Sequence, residues 1–178
     1  MAKRPFPLAD VYRLIEPGPV VLVSTMSGGR ANIMTMSWHM MVDFHPPIVA
    51  CVMSNRDYSF EALKKTKECV INIPGVELAR KVVGCGNTSG RDVDKFRKFG
   101  LTASAASSVR APLIDECFAS LECKVIDTKL VPQYGIFILE VVQAWIDPAN
   151  KDARTIHHQG KGRFAVDGET IRLRSEMK

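Results

Sequence analysis

Two serine hydroxyl groups and a guanidinium group fall close together between residues 54 and 59, where the sequence reads SNRDYS. The segment follows a predicted strand and precedes a predicted helix, so the free N–H groups of a helix N-terminus lie nearby. Ser54, Arg56 and Ser59, together with those groups, suit a phosphate oxyanion. A helix cap beside an exposed arginine is the common alternative, and this segment alone leaves both interpretations open.

A second segment of mixed chemistry, NIMTMSWH, spans residues 32 to 39. Its pattern predicts a strand that carries polar and aromatic side chains among methionines. Backbone N–H and C=O groups left free along one side of such a strand could bind the polar edge of a flat heterocycle, with methionine or tryptophan against the ring. The same pattern is typical of a core strand in which Met34 and Met36 fill gaps.

The familiar catalytic signatures are absent from this sequence. There is no Gly-x-Ser-x-Gly, Walker loop, Gly-x-Gly-x-x-Gly or His-Glu-x-x-His motif, which argues against the usual hydrolases, P-loop enzymes, Rossmann enzymes and zincins. Gly84-Cys85-Gly86 follows a helical pattern and lacks the third glycine of a dinucleotide fingerprint. Any chemistry here therefore needs another source than these motifs.

Histidines and cysteines do not form a metal-binding pattern. The five cysteines include no Cys-x-x-Cys pair, so we predict reduced thiols buried in the core rather than disulfides or zinc ligands. His157 and His158 lie in a polar segment and are interpreted as exposed or locally packed. The sequence assigns no role to these two histidines or to Cys85.

Length and composition indicate one folded domain over residues 1–178. The chain is 46% hydrophobic with a formal charge of +5, and its apolar runs fall short of the roughly 20 residues that cross a bilayer. The N-terminal ten residues lack the apolar stretch of a secretory signal, so we expect a cytoplasmic protein without membrane contact. Basic residues are scattered and lack aromatic residues interleaved in the manner of a stacking platform, which disfavours nucleic-acid binding.

Hydrophobic periodicity predicts more strands than helices. Helices are expected over 8–15, 57–66, 76–83 and 91–100, and strands over 19–25, 31–41, 46–53, 69–74, 117–127 and 134–146. The first two strands are expected to form a hairpin, residues 147–162 a loop, and residues 163–173 a hairpin turning at Asp167-Gly168. Because helices and strands do not alternate strictly, the order favours an antiparallel barrel with short peripheral helices.

Five segments in this order resemble the flavoredoxin branch of the flavin reductase-like family. They are NIMTMSW at 32–38, Pro46-Pro47 before a strand, SNRDYS at 54–59, VINIP at 70–74, and SGRDVDKF at 89–96. The resemblance covers about residues 10 to 166. It implies an FMN-binding split barrel, a mainly β Greek-key fold that forms a homodimer with a flavin at each subunit interface.

The resemblance also implies which residues contact the flavin. The strand residues that would line the isoalloxazine are Asn32, Met34, Thr35, Met36, Ser37 and Trp38. Ser54, Arg56 and Ser59 would hold the ribityl phosphate. A helical segment at 89–99 would also approach the flavin and reach towards that of the partner subunit. Its contact residues would be Ser89, Gly90, Asp94, Lys95 and Phe96.

The function implied is an NAD(P)H-dependent FMN oxidoreductase, a flavin or metal reductase, whose chemistry resides in the flavin and needs no protein acid or base. NADH or NADPH would bind transiently, and the acceptor would be a small molecule or a protein. The alternative is a flavoredoxin-type electron carrier with little NAD(P)H turnover. A flavin-free module that binds nucleic acid ranks last.

Overall fold

The computed structural model describes residues 18–150 and 153–174. Its centre is a seven-stranded antiparallel sheet with the strand order β2-β1-β5-β8-β9-β4-β3. The strands are β1 (Val21–Ser27), β2 (Arg30–Met36), β3 (His39–Phe44), β4 (Pro47–Val52), β5 (Glu68–Ile73), β6 (Ala103–Ser104), β7 (Leu113–Ile114), β8 (Ala119–Asp127), β9 (Ile136–Ile146), β10 (Ile156–His158) and β11 (Phe164–Val166). β6 pairs with β7, and β10 with β11.

Short helices lie around this sheet. They are α1 (Tyr58–Thr66), α2 (Ala79–Gly86), which follows a 3-10 turn at Val76–Leu78, α3 (Lys95–Phe99) and α4 (Val131–Tyr134). The predicted helix 57–66 is confirmed as α1, and α2 and α3 occupy the other two predicted helical regions. The predicted helix 8–15 lies outside the described residues. No helix in the described part of the chain is long and apolar enough to cross a membrane.

The first three residues of β1 are hydrophobic without alternation because both faces of the strand are covered there. Val21 and Val23 join a core cluster that includes Phe60 and Leu63 of α1. Leu22, on the opposite face, joins a second cluster formed with residues of α2 and α3. This second layer matters for the site because it holds α2 and α3 against β2, the outermost strand on that side.

The predicted strand 31–41 is wrong as a single element. The chain turns at Ser37 and Trp38, where the His39 N–H donates to the Ser37 carbonyl over 3.2 Å, and β3 then pairs with β4 instead of β1. Both strands are rich in methionine and β-branched residues, so periodicity gave no sign of the break. As a result, β2 and β3 become the two opposite edges of the sheet.

The C-terminal expectations also need correction. Residues 147–162 are not wholly a loop, since β10 lies within them and pairs with β11. The turn between these strands contains Gly160 and Gly162, both at positive φ, which glycine adopts without strain. Asp167 is not a turn residue: its carboxylate accepts hydrogen bonds from the Thr155 N–H at 2.9 Å and hydroxyl at 2.6 Å.

A buried carboxylate anchors the loop between β6 and β7. Glu122 is fully buried and accepts hydrogen bonds from the Ser107 N–H and hydroxyl, the Ser108 N–H and the Trp145 indole, at 2.6 to 3.1 Å. Burial alone would raise the pKa of Glu122, but these hydrogen bonds outweigh it and hold the pKa below its ordinary value. The carboxylate is therefore charged in the folded protein at neutral pH.

We expect Glu122→Gln to lower the free energy of unfolding by about 2 to 3 kcal/mol at neutral pH, since hydrogen bonds to a charged acceptor are worth about 1.5 to 3 kcal/mol. Because folding lowers this pKa, the contribution is complete above the ordinary glutamate pKa of about 4.3 and is lost as the pH falls below it. The free energy of unfolding, measured with urea at several pH values, should therefore fall less steeply towards acid pH in the variant than in wild type or in the exposed control Glu169→Gln. The same fall in all three proteins would contradict this role.

Candidate functional site

The free edge of β2 is the structural basis of the candidate site. β2 pairs with β1 alone in the sheet, and the Ile33 carbonyl accepts a 2.7 Å hydrogen bond from Lys95 Nζ of α3, outside the sheet. Backbone groups of successive residues in an antiparallel strand point to alternate sides. The Thr35 N–H and C=O therefore face outwards with those of Ile33, and give this edge one donor and one acceptor.

An elongated groove runs along this edge. One end is a cavity of about 250 Å³ and the other a cavity of about 300 Å³, and both are lined by Met34 and Thr35. The first, the polar end, is lined by Asn32, Met34, Thr35, Arg56, Asp57, Tyr58, Ser59, Cys85, Gly86, Asn87, Thr88, Ser89, Gly90, Arg91 and Lys95. The second, the apolar end, is lined by Met34, Thr35, Met36, Ser37, Trp38, Val52 and His158.

The three residues predicted to hold phosphate lie in different surroundings. The exposed Arg56 lines the polar end. Ser59 also lines it but is buried, and its hydroxyl oxygen accepts a 2.8 Å hydrogen bond from Asn32 Nδ2. Ser54 lines a neighbouring cavity of about 770 Å³ instead, and its hydroxyl accepts the Arg56 N–H at 3.2 Å. Ser54 thus shapes the turn that carries Arg56.

The segment after α2 closes the polar end. The Ser89 hydroxyl accepts the Arg91 N–H at 3.2 Å, and Gly90 packs so closely that a Cβ there would overlap Asn32 Oδ1 and lie 2.7 Å from Tyr58 Cδ1. Only glycine fits this position without movement of those side chains. Arg91 is not among the predicted flavin contacts, although it follows Ser89 and Gly90 directly and lines the same cavity.

Lys95 is a buried cation at the junction of β2, α2 and α3. Its side chain is 6% exposed, and its ammonium group donates to the Ile33 and Cys85 carbonyls, both at 2.7 Å. Burial lowers the pKa of Lys95 from its ordinary value. The group thus fixes the edge of β2 against the helical layer while it lines the groove.

Two predicted residues of the helical segment at 89–99 do not line the groove. Asp94 is exposed and caps α3 by accepting the Arg97 N–H at 3.2 Å. Phe96 packs in the hydrophobic cluster beneath α2 and α3. The remaining predicted residues of β2 and of the turn that follows it do lie along the groove.

Trp38 and His158 flank the apolar end. Trp38 is 51% exposed, and His158 packs its ring against Phe164 with a centroid separation of 5.1 Å. The neighbouring His157 instead meets Asp167 at 2.8 Å. The two adjacent histidines therefore have different surroundings, which their sequence position did not distinguish. Within the described residues, no cluster of His, Cys, Asp or Glu is arranged to hold a metal ion.

All five cysteines are free and buried, as predicted. Cys85 is among the residues that line the polar end. Burial raises the pKa of its thiol to about 11, so the thiol is protonated at neutral pH and is a poor nucleophile. Cys85 contributes through its carbonyl, which accepts from Lys95.

The residues that line the groove suit the chemical groups of FMN. At the polar end, Arg56, Arg91 and Lys95 face a single lining carboxylate, Asp57, which suits a phosphate dianion. The apolar end offers methionine side chains together with the outward N–H and C=O of Thr35. The antiparallel sheet with this groove on its edge agrees with the FMN-binding split barrel that the sequence resemblance implies.

Comparison with known proteins gives the family. The model of the flavin reductase like domain matches residues 12–165, and the chain belongs to that family. An FMN-binding domain of a flavin reductases-like enzyme from Shewanella baltica is 30% identical, with a TM-score of 0.82 over 95% of this chain and 96% of that one. The uncharacterized protein YddH of Escherichia coli is 32% identical over 94% of this chain and 96% of its own length.

More distant structures share the fold. Flavoredoxin of Desulfovibrio vulgaris is 24% identical, with a TM-score of 0.84 over 97% of both chains. A putative flavin reductase with a split barrel domain from Shewanella frigidimarina is 18% identical, with a TM-score of 0.79 over 96% of this chain and 94% of that one. The predicted mainly β split-barrel fold with short helices is thereby confirmed.

Proposed function

We propose that the chain holds FMN along β2 and acts as an NAD(P)H-dependent oxidoreductase. The observation that carries this proposal is the groove itself, which joins a cationic end to an apolar end along a strand edge with outward backbone groups. Family membership supports the cofactor. The proposed acceptor is a small molecule or a redox protein.

The residues of the groove bind and orient the flavin. Arg56 and Arg91 bind the phosphate, and the Thr35 N–H and C=O bind the polar edge of the ring. Met34 packs against the ring, and Trp38 shields it from water. Bound FMN supplies hydride acceptance and electron transfer. The protein accordingly needs no general acid or base, which agrees with the missing catalytic motifs.

A larger cavity beside the apolar end offers space for the nicotinamide. It measures about 740 Å³ and shares Thr35, Met36 and Ser37 with the groove. Arg80, on its wall, supplies a cation for a dinucleotide phosphate, and Phe164 supplies an apolar surface. Transient binding of NAD(P)H here would explain the absence of a Rossmann fingerprint.

Anaerobic addition of NADH or NADPH to the protein loaded with FMN tests the enzymatic role. Bleaching of the flavin absorption within a turnover time supports the oxidoreductase. An oxidised spectrum that persists with both donors, while dithionite bleaches it, would overturn the oxidoreductase and support the electron carrier.

We also propose a homodimer, because β3 is an edge strand with large apolar side chains exposed on both faces. Met40, Met41, Val42 and Phe44 are 50% to 76% exposed. Such strands need a cover to avoid non-specific pairing. A second copy of the chain provides that cover.

Light scattering should give a mass near twice 19.7 kDa, and Phe44→Glu should shift it to the monomer value with several-fold weaker FMN binding. The shift is expected because a buried, unpaired carboxylate is costly at an interface. Leu173→Glu is the matched control, since Leu173 is also 76% exposed. A wild-type monomer that is saturated with FMN would contradict the dimer.

The cytoplasmic location stays a proposal as well. It is supported by the five free thiols, which fit a reducing compartment.

A further inference from the structure

The cavity of about 740 Å³ beside the apolar end of the groove has one permanently charged side chain among its described lining residues, the guanidinium group of Arg80. None of the described residues that line the cavity is acidic. This space, which we call the Arg80 cavity, therefore attracts an anion, and its described wall carries no carboxylate that would repel one.

The guanidinium group of Arg80 is accessible to a ligand. Arg80 is exposed, and the salt bridges within residues 18–150 and 153–174 involve other side chains. The planar set of N–H donors in a guanidinium group matches the oxygens of a phosphate. Arg80 can therefore bind a phosphate without first breaking an ion pair within the described part of the chain.

Both walls of the Arg80 cavity are held in place by hydrogen bonds. α2 is tied to β2 because the Thr35 hydroxyl donates to the Val82 carbonyl over 2.7 Å. The opposite wall is the β10–β11 hairpin, which contributes Phe164, and the Val20 N–H donates to the Ile156 carbonyl of this hairpin over 2.8 Å. The cavity is thus formed before a ligand enters, and Arg80 lies on a helix that is already fixed.

Position along α2 separates Arg80 from the part of the cavity that adjoins the groove. Gly86, at the end of α2, lies against β2, since a Cβ at Gly86 would be 3.4 Å from Thr35 Cβ. Arg80 lies near the start of the same helix, and at 1.5 Å per residue this places it about 9 Å away along the helix axis. A donor with its nicotinamide near Thr35 and Met36 therefore extends its adenosine part along α2 towards Arg80.

We propose that Arg80 binds the 2′-phosphate of NADPH, and that the protein therefore prefers NADPH to NADH as its hydride donor. This inference rests on the proposed function, because it places the donor in the Arg80 cavity. Dinucleotide-binding proteins often bind the 2′-phosphate of NADP with an arginine and the free 2′-hydroxyl of NAD with a carboxylate. The described wall of the Arg80 cavity supplies the arginine and no carboxylate.

The pyrophosphate, which NADPH and NADH share, is the competing partner for Arg80. A phosphate monoester such as the 2′-phosphate carries a charge of about −1.5 to −2 at pH 7, whereas each phosphate of the pyrophosphate carries a single negative charge. Arg80 is the one permanent cation on the described wall, so it pairs preferentially with the more highly charged group. Only this pairing distinguishes the two donors.

Steady-state kinetics of the FMN-loaded protein with each donor test the inference. Wild type should use NADPH at least 10-fold more efficiently than NADH, measured as kcat/KM. Arg80→Gln should lower the ratio of the two efficiencies about 10-fold, the effect of one charge-assisted contact, through a higher KM for NADPH. Arg80→Lys should retain part of the preference, because it keeps the charge. Arg97→Gln, which removes an exposed guanidinium outside the Arg80 cavity, should leave the ratio unchanged.

Calorimetric titration with NADP⁺ and NAD⁺ gives a readout that does not depend on turnover. NADP⁺ should bind the FMN-loaded wild type at least 10-fold more tightly than NAD⁺, and Arg80→Gln should lose most of this difference. FMN affinity should be the same in wild type and Arg80→Gln, because Arg80 does not line the groove.

The outcomes separate this inference from the proposed function. Equal efficiency of NADPH and NADH in wild type overturns the inference, even where both donors reduce the flavin. An equal loss for both donors in Arg80→Gln also overturns it, and assigns Arg80 to the shared pyrophosphate. A flavin that neither donor reduces contradicts the proposed function, and the relative binding of NADP⁺ and NAD⁺ then decides the inference by itself.

Discussion

Arg56→Ala should weaken FMN binding by about 10- to 150-fold, because a hydrogen bond to a charged group is worth about 1.5 to 3 kcal/mol. The substitution should leave the fold intact. The turn around Arg56 is held by its backbone groups, which bond to the Ser54 hydroxyl and to Arg91, and the side chain is exposed. Fluorescence titration of flavin-free protein with FMN measures the loss.

Riboflavin provides the control for this prediction, since it lacks the phosphate. It should bind wild type and Arg56→Ala about equally. Arg97→Ala, which removes an exposed guanidinium outside the groove, should leave FMN binding unchanged. Equal losses for FMN and riboflavin, or no loss for FMN, would show that Arg56 is not a phosphate ligand.

Lys95→Met should impair both stability and flavin binding. It removes the donor shared by the Ile33 and Cys85 carbonyls, and each buried carbonyl left without a partner costs about 1 to 3 kcal/mol. We therefore expect the free energy of unfolding to fall by about 2 to 6 kcal/mol. FMN should bind at least 10-fold more weakly, because the edge of β2 loses its tether to α2 and α3 and the groove loses a charge.

Lys98→Met on the same helix is the matched control, since Lys98 is exposed. Urea unfolding of the flavin-free proteins separates the two effects of Lys95→Met. Stability and FMN affinity equal to those of Lys98→Met would contradict the role of Lys95 as the link between β2 and the helical layer.

The local spacing of apolar residues in the sequence predicts many of the helices and strands of this fold. Helix α1 is predicted within one residue because its apolar residues recur at helical spacing up to Thr66. The alternation in 117–127 predicts a half-buried strand, and β8 forms there, but its polar side is not open to water, since Ser120 and Glu122 are buried. The break between β2 and β3 was not predictable, because it depends on which distant strand each segment pairs with. His39 pairs opposite Cys51, while Met36 pairs opposite Val21.

The site was predictable in its residue types but less so in its geometry. Arg56 and Lys95 were selected from motif order, and both line the groove. Ser54 was selected by the same reasoning but points into a neighbouring cavity. Arg91 is absent from the predicted flavin contacts because one arginine in a polar segment does not by itself indicate a binding role. Its importance follows only from the approach of residues 89–91 to Tyr58.

FMN should lie along β2 with its ring beside Trp38. Titration of flavin-free wild type and Trp38→Phe with FMN, with tryptophan emission recorded, measures this placement. We expect saturation at one FMN per chain and strong quenching in wild type. The variant, which retains Trp145, should bind FMN but lose most of that quenching. Absence of saturable FMN binding, or equal quenching in the two proteins, would show that the ring does not lie there.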